Sequence, residues 1–120
     1  MNTNYYIKEV DMTRTFKEIA GGIKSSSGFA IKHLDRHFIE YTIADKAVVV
    51  PREGITIKGK HHVLLDIRQV ELKWNKPIVK RLSEEEIESL TKDLKEAYEA
   101  LGSIVEIDPE LTQFGKKQRS

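Results

Sequence analysis

The stretch from Ser83 to Leu101 constrains this chain more than any other, because it joins a helix start, a helical apolar stripe and a helix stop. Ser83-Glu84-Glu85-Glu86 has the pattern of a capping box. In that arrangement the serine hydroxyl accepts from the amide of residue 86, and the Glu86 side chain reaches back to the amide of Ser83. Acidic residues in the first turn also complement the positive end of the helix. Ile87, Leu90, Leu94, Ala97, Tyr98 and Leu101 recur at helical spacing and form one apolar face. Gly102 follows where a left-handed C-terminal cap is wanted. Glu88, Asp93, Glu96 and Glu99 fall off the stripe and are expected to face water. Lys92 and Lys95 are expected to pair with Glu88 and Glu99, at about 0.2–0.5 kcal/mol each.

A helix with one apolar face needs a surface to bury it on, and the residues before it supply strands. Phe38 to Ile43 is rich in aromatic and β-branched residues, which suit a pleated surface. Ala47 to Val50 reads as a second strand ended by Pro51 and Gly54, and Ile55-Thr56-Ile57 as a third broken by Gly59. His62 to Leu72 carries at least one more, with a bulge or bend near Arg68-Gln69. Short spacings imply an antiparallel meander over about residues 29–73. Ile104 to Ile107 follows the helix as a short strand that returns to the sheet before Pro109.

The expected fold class is therefore α+β: an antiparallel sheet, one long C-terminal amphipathic helix packed on it, and a short final strand. Earlier, Tyr5-Tyr6-Ile7 reads as a strand, and Phe16, Ile19, Ala20 and Ile23 share a helical face with Thr13 as a cap. Gly21-Gly22 weakens that helix by about 1 kcal/mol per glycine. Residues 1–110 form one domain on this reading. Residues 111–120 form a basic tail in which Phe114 is the strong anchor.

Composition narrows the class. A chain of 120 residues fits one domain, and 39% hydrophobic with 32% charged residues is a globular profile. The absence of cysteine excludes a disulfide framework, thiolate zinc sites and a cysteine nucleophile together. The longest apolar run is Ala47 to Val50, far short of a membrane span. Met1 to Val10 has no basic segment leading into an apolar core, so a cytoplasmic protein without a secretion signal is expected.

Charge is segregated. The net value of +1 hides a split: residues 1–82 hold fifteen Lys and Arg against nine Asp and Glu, or +6. Residues 83–110 hold two against ten, or −8. Lys116, Lys117 and Arg119 then add +3. A near-neutral total argues against a dedicated nucleic-acid binder, while a charge dipole favours steering toward a charged partner.

Chemistry-bearing motifs are sparse. His33 and His37 flank Asp35, and His61 and His62 are adjacent. Neighbouring residues on a strand point to opposite faces, so no metal site is expected from them. A metal-dependent enzyme using these histidines is the remaining catalytic reading, and stoichiometric metal in the purified protein would be its mark. No triad spacing is present. Gly21-Gly22 and Ser25 to Gly28 lack the glycine-lysine-serine ending of a phosphate loop and read as turns or loops. The helix carboxylates read as a solvated face. Trp74 is expected to plug the core where the chain links sheet to helix. No enzyme and no cofactor follow from these residues.

The order of features after residue 48 nonetheless has a family look. A glycine-centred turn (Ile57 to Lys60) precedes a strand, then Trp74-x-x-Pro77, then the capped helix at Ser83-Glu84-Glu85-Glu86. Glu96-Ala97, Leu101-Gly102 and the Val105-Glu106-Ile107 strand complete the series. Over about residues 48–108 the chain resembles small bacterial immunity proteins of polymorphic-toxin and contact-dependent growth inhibition systems. The resemblance implies a protein that binds the C-terminal domain of a cognate toxin and blocks its active site or substrate surface. Many such toxins are nucleases, with basic surfaces that contact phosphates. Glu84, Glu85, Glu88 and Glu96 would then be docking countercharges. The alternative contact surface is the basic sheet half, through Arg52, Lys60 and Arg68 with Lys58. A competing function is a phage or mobile-element accessory protein that binds nucleic acid through the +6 half.

Overall fold

The computed structural model describes residues 14–109. Its strands are β1 (Phe16–Ile19), β2 (Gly22–Ser25), β3 (Phe29–His33), β4 (Phe38–Ile43), β5 (Lys46–Ile57), β6 (Lys60–Leu65), β7 (Lys73–Lys76), β8 (Lys80–Arg81) and β9 (Ile104–Ile107). One helix, α1 (Glu84–Ala100), lies between β8 and β9. The fold is α+β, with a curled sheet in which antiparallel pairing dominates.

Register explains where the core sits. Ile23 pairs with Ile31, Ile31 with Tyr41, Tyr41 with Val48, and Val48 with Trp74. Directly opposed residues share a face, so this row is one continuous buried band across five strands. Leu90, Leu94, Ala97 and Tyr98 of α1 are buried in the same cluster as this band. The capping box forms as expected: Glu86 N donates to Ser83 Oγ at 3.1 Å and Ser83 N donates to Glu86 Oε1 at 2.9 Å. At the other end the Ser103 amide donates to Tyr98 O and the Gly102 amide to Glu99 O. This is the paired C-terminal cap that needs a left-handed residue, and Gly102 has φ +94°. Leu101 caps the helix instead of extending its buried stripe and is 40% exposed.

Several expectations are corrected. Phe16 to Ile23 is a hairpin, not a helix: Ile19 pairs with Gly22 across Ala20-Gly21, and Gly21 has φ +77°. Gly22 lies so close to β3 that an added Cβ would sit 1.9 Å from the Ile31 carbonyl oxygen. The two glycines therefore serve a turn and a close strand approach, which outweighs the weak helical pattern. Pro51 does not end its strand. It lies in β5 where the pairing passes from β4 to β6: Phe38 opposes Pro51, and the next residue, Arg52, opposes Leu65. The separate strand expected at Ile55 to Ile57 is thus the second half of β5.

Downstream, β6 stops at Leu65 and the chain bends through residues 68–70. It rejoins β5 as β7, so Trp74 belongs to a strand and not to a link, although it is buried as expected. β6 and β7 both run antiparallel to β5, and residues 66–72 form an excursion between them. β9 returns to the sheet as expected, but it pairs parallel to β6, because a helix crossover brings the chain back in the same direction. The Tyr5 to Ile7 strand, the Thr13 cap and the tail after residue 110 lie outside the described residues.

Candidate functional site

Of the seven residues expected to contact a partner, five gather at α1, Arg52 lies in a separate cleft and Lys60 lies apart from both. Glu84, Glu85, Glu88 and Glu96 lie along α1, and Arg68 joins them from the excursion after β6. Arg68 Nη1 is 3.2 Å from Glu84 Oε1. Arg68 is therefore not part of a basic sheet surface. Both partners are well exposed, so the pair contributes at most about 1 kcal/mol. An open groove of about 500 Å³ runs along this side of the helix, lined by Arg68, Glu88, Thr91, Lys95, Glu96 and Glu99 among others. Glu96 is half-buried and paired to Arg14 at 3.1 Å. Glu85 and Glu88 are exposed, and neither forms an ion pair among the described residues. The expected local pairs of Lys92 with Glu88 and Lys95 with Glu99 do not close within ion-pair distance.

Asp93 departs furthest from expectation. It does not face water: its Oδ1 accepts from Arg14 Nη2 at 2.8 Å and its Oδ2 from the Tyr41 hydroxyl at 2.5 Å. Arg14 also lies over the rings of Phe16 and Phe29, 5.5 and 5.2 Å from their centroids. Burial first, then the hydrogen bond to Asp93, pushes the Tyr41 phenol far above its ordinary range, so Tyr41 acts as a neutral donor. This network ties α1, β4 and the segment before β1 together. Neither Arg14 nor Tyr41 carried a local sequence signal.

Arg52 occupies the second place. Along β5 the helix-covered face changes from apolar Val48 and Val50 to Arg52, Gly54 and Thr56, which alternate onto the same side. Across the ladder Gly54 opposes Val63 and Thr56 opposes His61. A cleft of about 310 Å³ opens there, lined by Arg36, Arg52, Glu53, Gly54, Ile55, Thr56 and His61. His61 Nδ1 is 3.0 Å from Ser103 Oγ, which fixes the ring with Nε2 near Gly54. Beside the cleft, His33 Nε2 is 2.9 Å from the Tyr98 hydroxyl. Burial, then the Arg52 charge, lowers the His33 pKa. Burial pushes Tyr98 up to about 12, with Arg52 opposing part of the rise. Both rings are therefore uncharged at neutral pH. Lys60 lies outside the cleft lining, exposed after the Lys58-Gly59 turn, where both residues have positive φ. Arg36 had no sequence signal of its own; strand pairing alone brings its turn to Arg52, whose amide donates to His37 O at 2.7 Å.

The histidines do not converge. His33 meets Tyr98, His61 meets Ser103, and His62 lies 3.5 Å from Glu106 on the opposite face of β6. Among the described residues no group of three or more His, Asp or Glu side chains is placed to hold a metal ion.

Asp66 lies beside Asp108. Asp108 accepts from the amides of Ile67 and Arg68. Burial, then the Asp108 charge, raises the Asp66 pKa above its ordinary 3.8. In the window between 3.8 and that raised value the folded state binds more protons than the unfolded one. Stability is therefore lost as pH rises through the window. Asp66→Asn is expected to stabilise the protein at neutral pH by about 0.5–1 kcal/mol and to remove the gain that wild type shows on acidification. Thermal melts at neutral and mildly acidic pH measure both effects, and an unchanged difference between the two pH values would reject the pairing.

No helix among the described residues is long and apolar enough to cross a membrane. Compared with known proteins, the chain matches no family model, no curated protein and no solved structure.

Proposed function

We propose that this chain is a protein-binding inhibitor of the immunity type, which neutralises a cognate toxin domain by covering its active site or substrate surface. The observation that carries the reading is the outer face of α1. Glu85, Glu88 and Glu99 are exposed there, and none is matched by an ion pair among the described residues. These unmatched carboxylates, which share the helix face with Lys92 and Lys95, suit the basic surface of a nuclease, because complementary charge accelerates encounter and fixes orientation. Interfaces also need apolar anchors. Ile78 and Val79, 67% and 71% exposed between Lys76 and Lys80, offer one. The capped helix and Trp74-x-x-Pro77 also carry the resemblance to immunity proteins.

Co-expression with a toxin domain encoded immediately upstream tests the reading. Growth should be restored, and the two purified proteins should form a complex. In stopped-flow mixing, replacing Glu85, Glu88 and Glu99 by glutamine should slow association roughly tenfold at low ionic strength, with the difference shrinking as salt is added. Failure of both rescue and complex formation would reject the inhibitor reading. Unchanged association rates would move the interface away from α1.

A further inference from the structure

We propose that the cleft between the β5–β6 hairpin and the β3–β4 turn binds a phosphoryl dianion through Arg36, Arg52 and the Nε2 of His61. Three observations converge on it. First, neither arginine forms an ion pair with a carboxylate among the described residues, although both line one cavity. Two like charges in one cavity without a counter-ion repel, and the half-buried Arg52 also has a buried Nε without a hydrogen-bond partner. Second, Gly54 leaves the space between His61 and Arg52 open. A Cβ there would lie 3.1 Å from His61 Nε2 and 3.5 Å from Arg52 Nη2, so the missing side chain is what lets both groups face one point. Third, the surrounding groups are held in place. Asp35 Oδ1 accepts from the amides of His37 and Phe38 at 2.7 and 2.9 Å, which shapes the turn that carries Arg36. When the Ser103 hydroxyl donates to His61 Nδ1, Nε2 carries the ring proton and is a donor toward the cleft.

The donor set selects the ligand. A carboxylate satisfies one guanidinium fork, whereas a phosphoryl group offers three oxygens and two charges to two forks, an imidazole N–H and the Thr56 hydroxyl. The one acidic lining residue, Glu53, alternates to the other side of β5 from Arg52 and Gly54. The cavity, about 310 Å³, is at the small end of ligand sites and exceeds what the anion alone would fill. The phosphoryl group can therefore come from inorganic phosphate or from a small ester such as a nucleoside 5′-monophosphate. This cleft shares no lining residue with the groove on α1.

Calorimetric titration of the purified full chain with inorganic phosphate, AMP and adenosine tests the site. Saturable binding of phosphate or AMP, with none of adenosine, is expected. Tighter binding of AMP identifies an ester as the ligand, and equal or weaker binding identifies free phosphate. Arg36→Gln should weaken binding about tenfold, since Arg36 is exposed and its loss leaves the core untouched. Arg52→Lys should do the same although it keeps the charge, because the fork is lost. Gly54→Val should abolish binding by filling the gap, and its thermal melt reports whether the fold is kept. The proposal fails if neither anion saturates by about 10 mM, a limit set by weak-site affinity. It also fails if adenosine binds as well as AMP, or if Arg36→Gln and Arg52→Lys both bind as wild type does.

Discussion

Asp93→Ala is expected to destabilise the protein by about 2 kcal/mol, the cost of leaving the buried Tyr41 hydroxyl without its acceptor and Arg14 with Glu96 as its remaining carboxylate. The Asp93 carboxylate is the common acceptor for Arg14 and Tyr41, and the side chains of Asp93 and Arg14 are only 14% and 17% exposed. Tyr41 is itself 2% exposed, so water cannot replace the lost acceptor at its hydroxyl. Asp93 stands on α1, Tyr41 on β4 and Arg14 before β1, so the loss loosens the helix from the sheet. Equilibrium denaturation measures the effect. Asp93→Asn keeps an acceptor for Tyr41 but removes the charge that holds Arg14, and should cost roughly half as much. Tyr41→Phe removes only the donor and should cost about 1 kcal/mol. A double-mutant cycle between Asp93→Ala and Tyr41→Phe should show coupling of about 1 kcal/mol or more. Strict additivity would mean that the two groups do not act as a unit.

The second large effect is expected at Asp108. Its Oδ1 accepts from the amides of Ile67 and Arg68 at 2.7 and 2.9 Å, and its own amide donates to Leu65 O at 2.6 Å. Ile67 is fully buried, so its amide has no route to water once the carboxylate is gone. Asp108→Ala should cost about 2–4 kcal/mol, counting two charge-assisted hydrogen bonds and alanine at φ +51°. Hydrogen exchange should accelerate first at Ile67 and Arg68, because the excursion over residues 66–72 is the segment that Asp108 holds to β6 and β9. Asp108→Gly separates the two causes. It removes the backbone strain but not the lost acceptor, so most of the destabilisation should persist. Asp108→Asn keeps an acceptor oxygen and ends the repulsion with Asp66, and should be the mildest of the three. Full recovery in Asp108→Gly would assign the effect to backbone conformation alone.

What was legible in the residues follows the range of the interactions. The helix bounds, the capping box, the Gly102 cap and the buried stripe at Leu90, Leu94, Ala97 and Tyr98 all depend on contacts within a few positions. Periodicity and cap chemistry state them directly, and so the α+β class followed. β4 and the first half of β5 were readable for the same reason, since alternation and β-branched residues are local. The hairpin at Phe16 to Ser25 shows the limit. A four-residue strand and a short amphipathic helix offer similar patterns, and only the close approach of Gly22 to Ile31 of β3 decides between them.

The candidate surfaces divide along the same line. The sequence alone determined that one helix is acidic and that its apolar stripe must be buried. Which carboxylates remain available was decided by tertiary contacts. Arg14, far away in the chain, removes Asp93 and Glu96 from the docking face, and Arg68 engages Glu84. The Arg36, Arg52 and His61 cleft was invisible, because its three side chains come from a turn and two strands whose register the pairing of β3 to β6 sets. Charge pattern along a chain records how many ionic groups there are. Only the folded register determines which of them meet, since an ion pair depends on distances of a few ångströms that sequence separation does not encode.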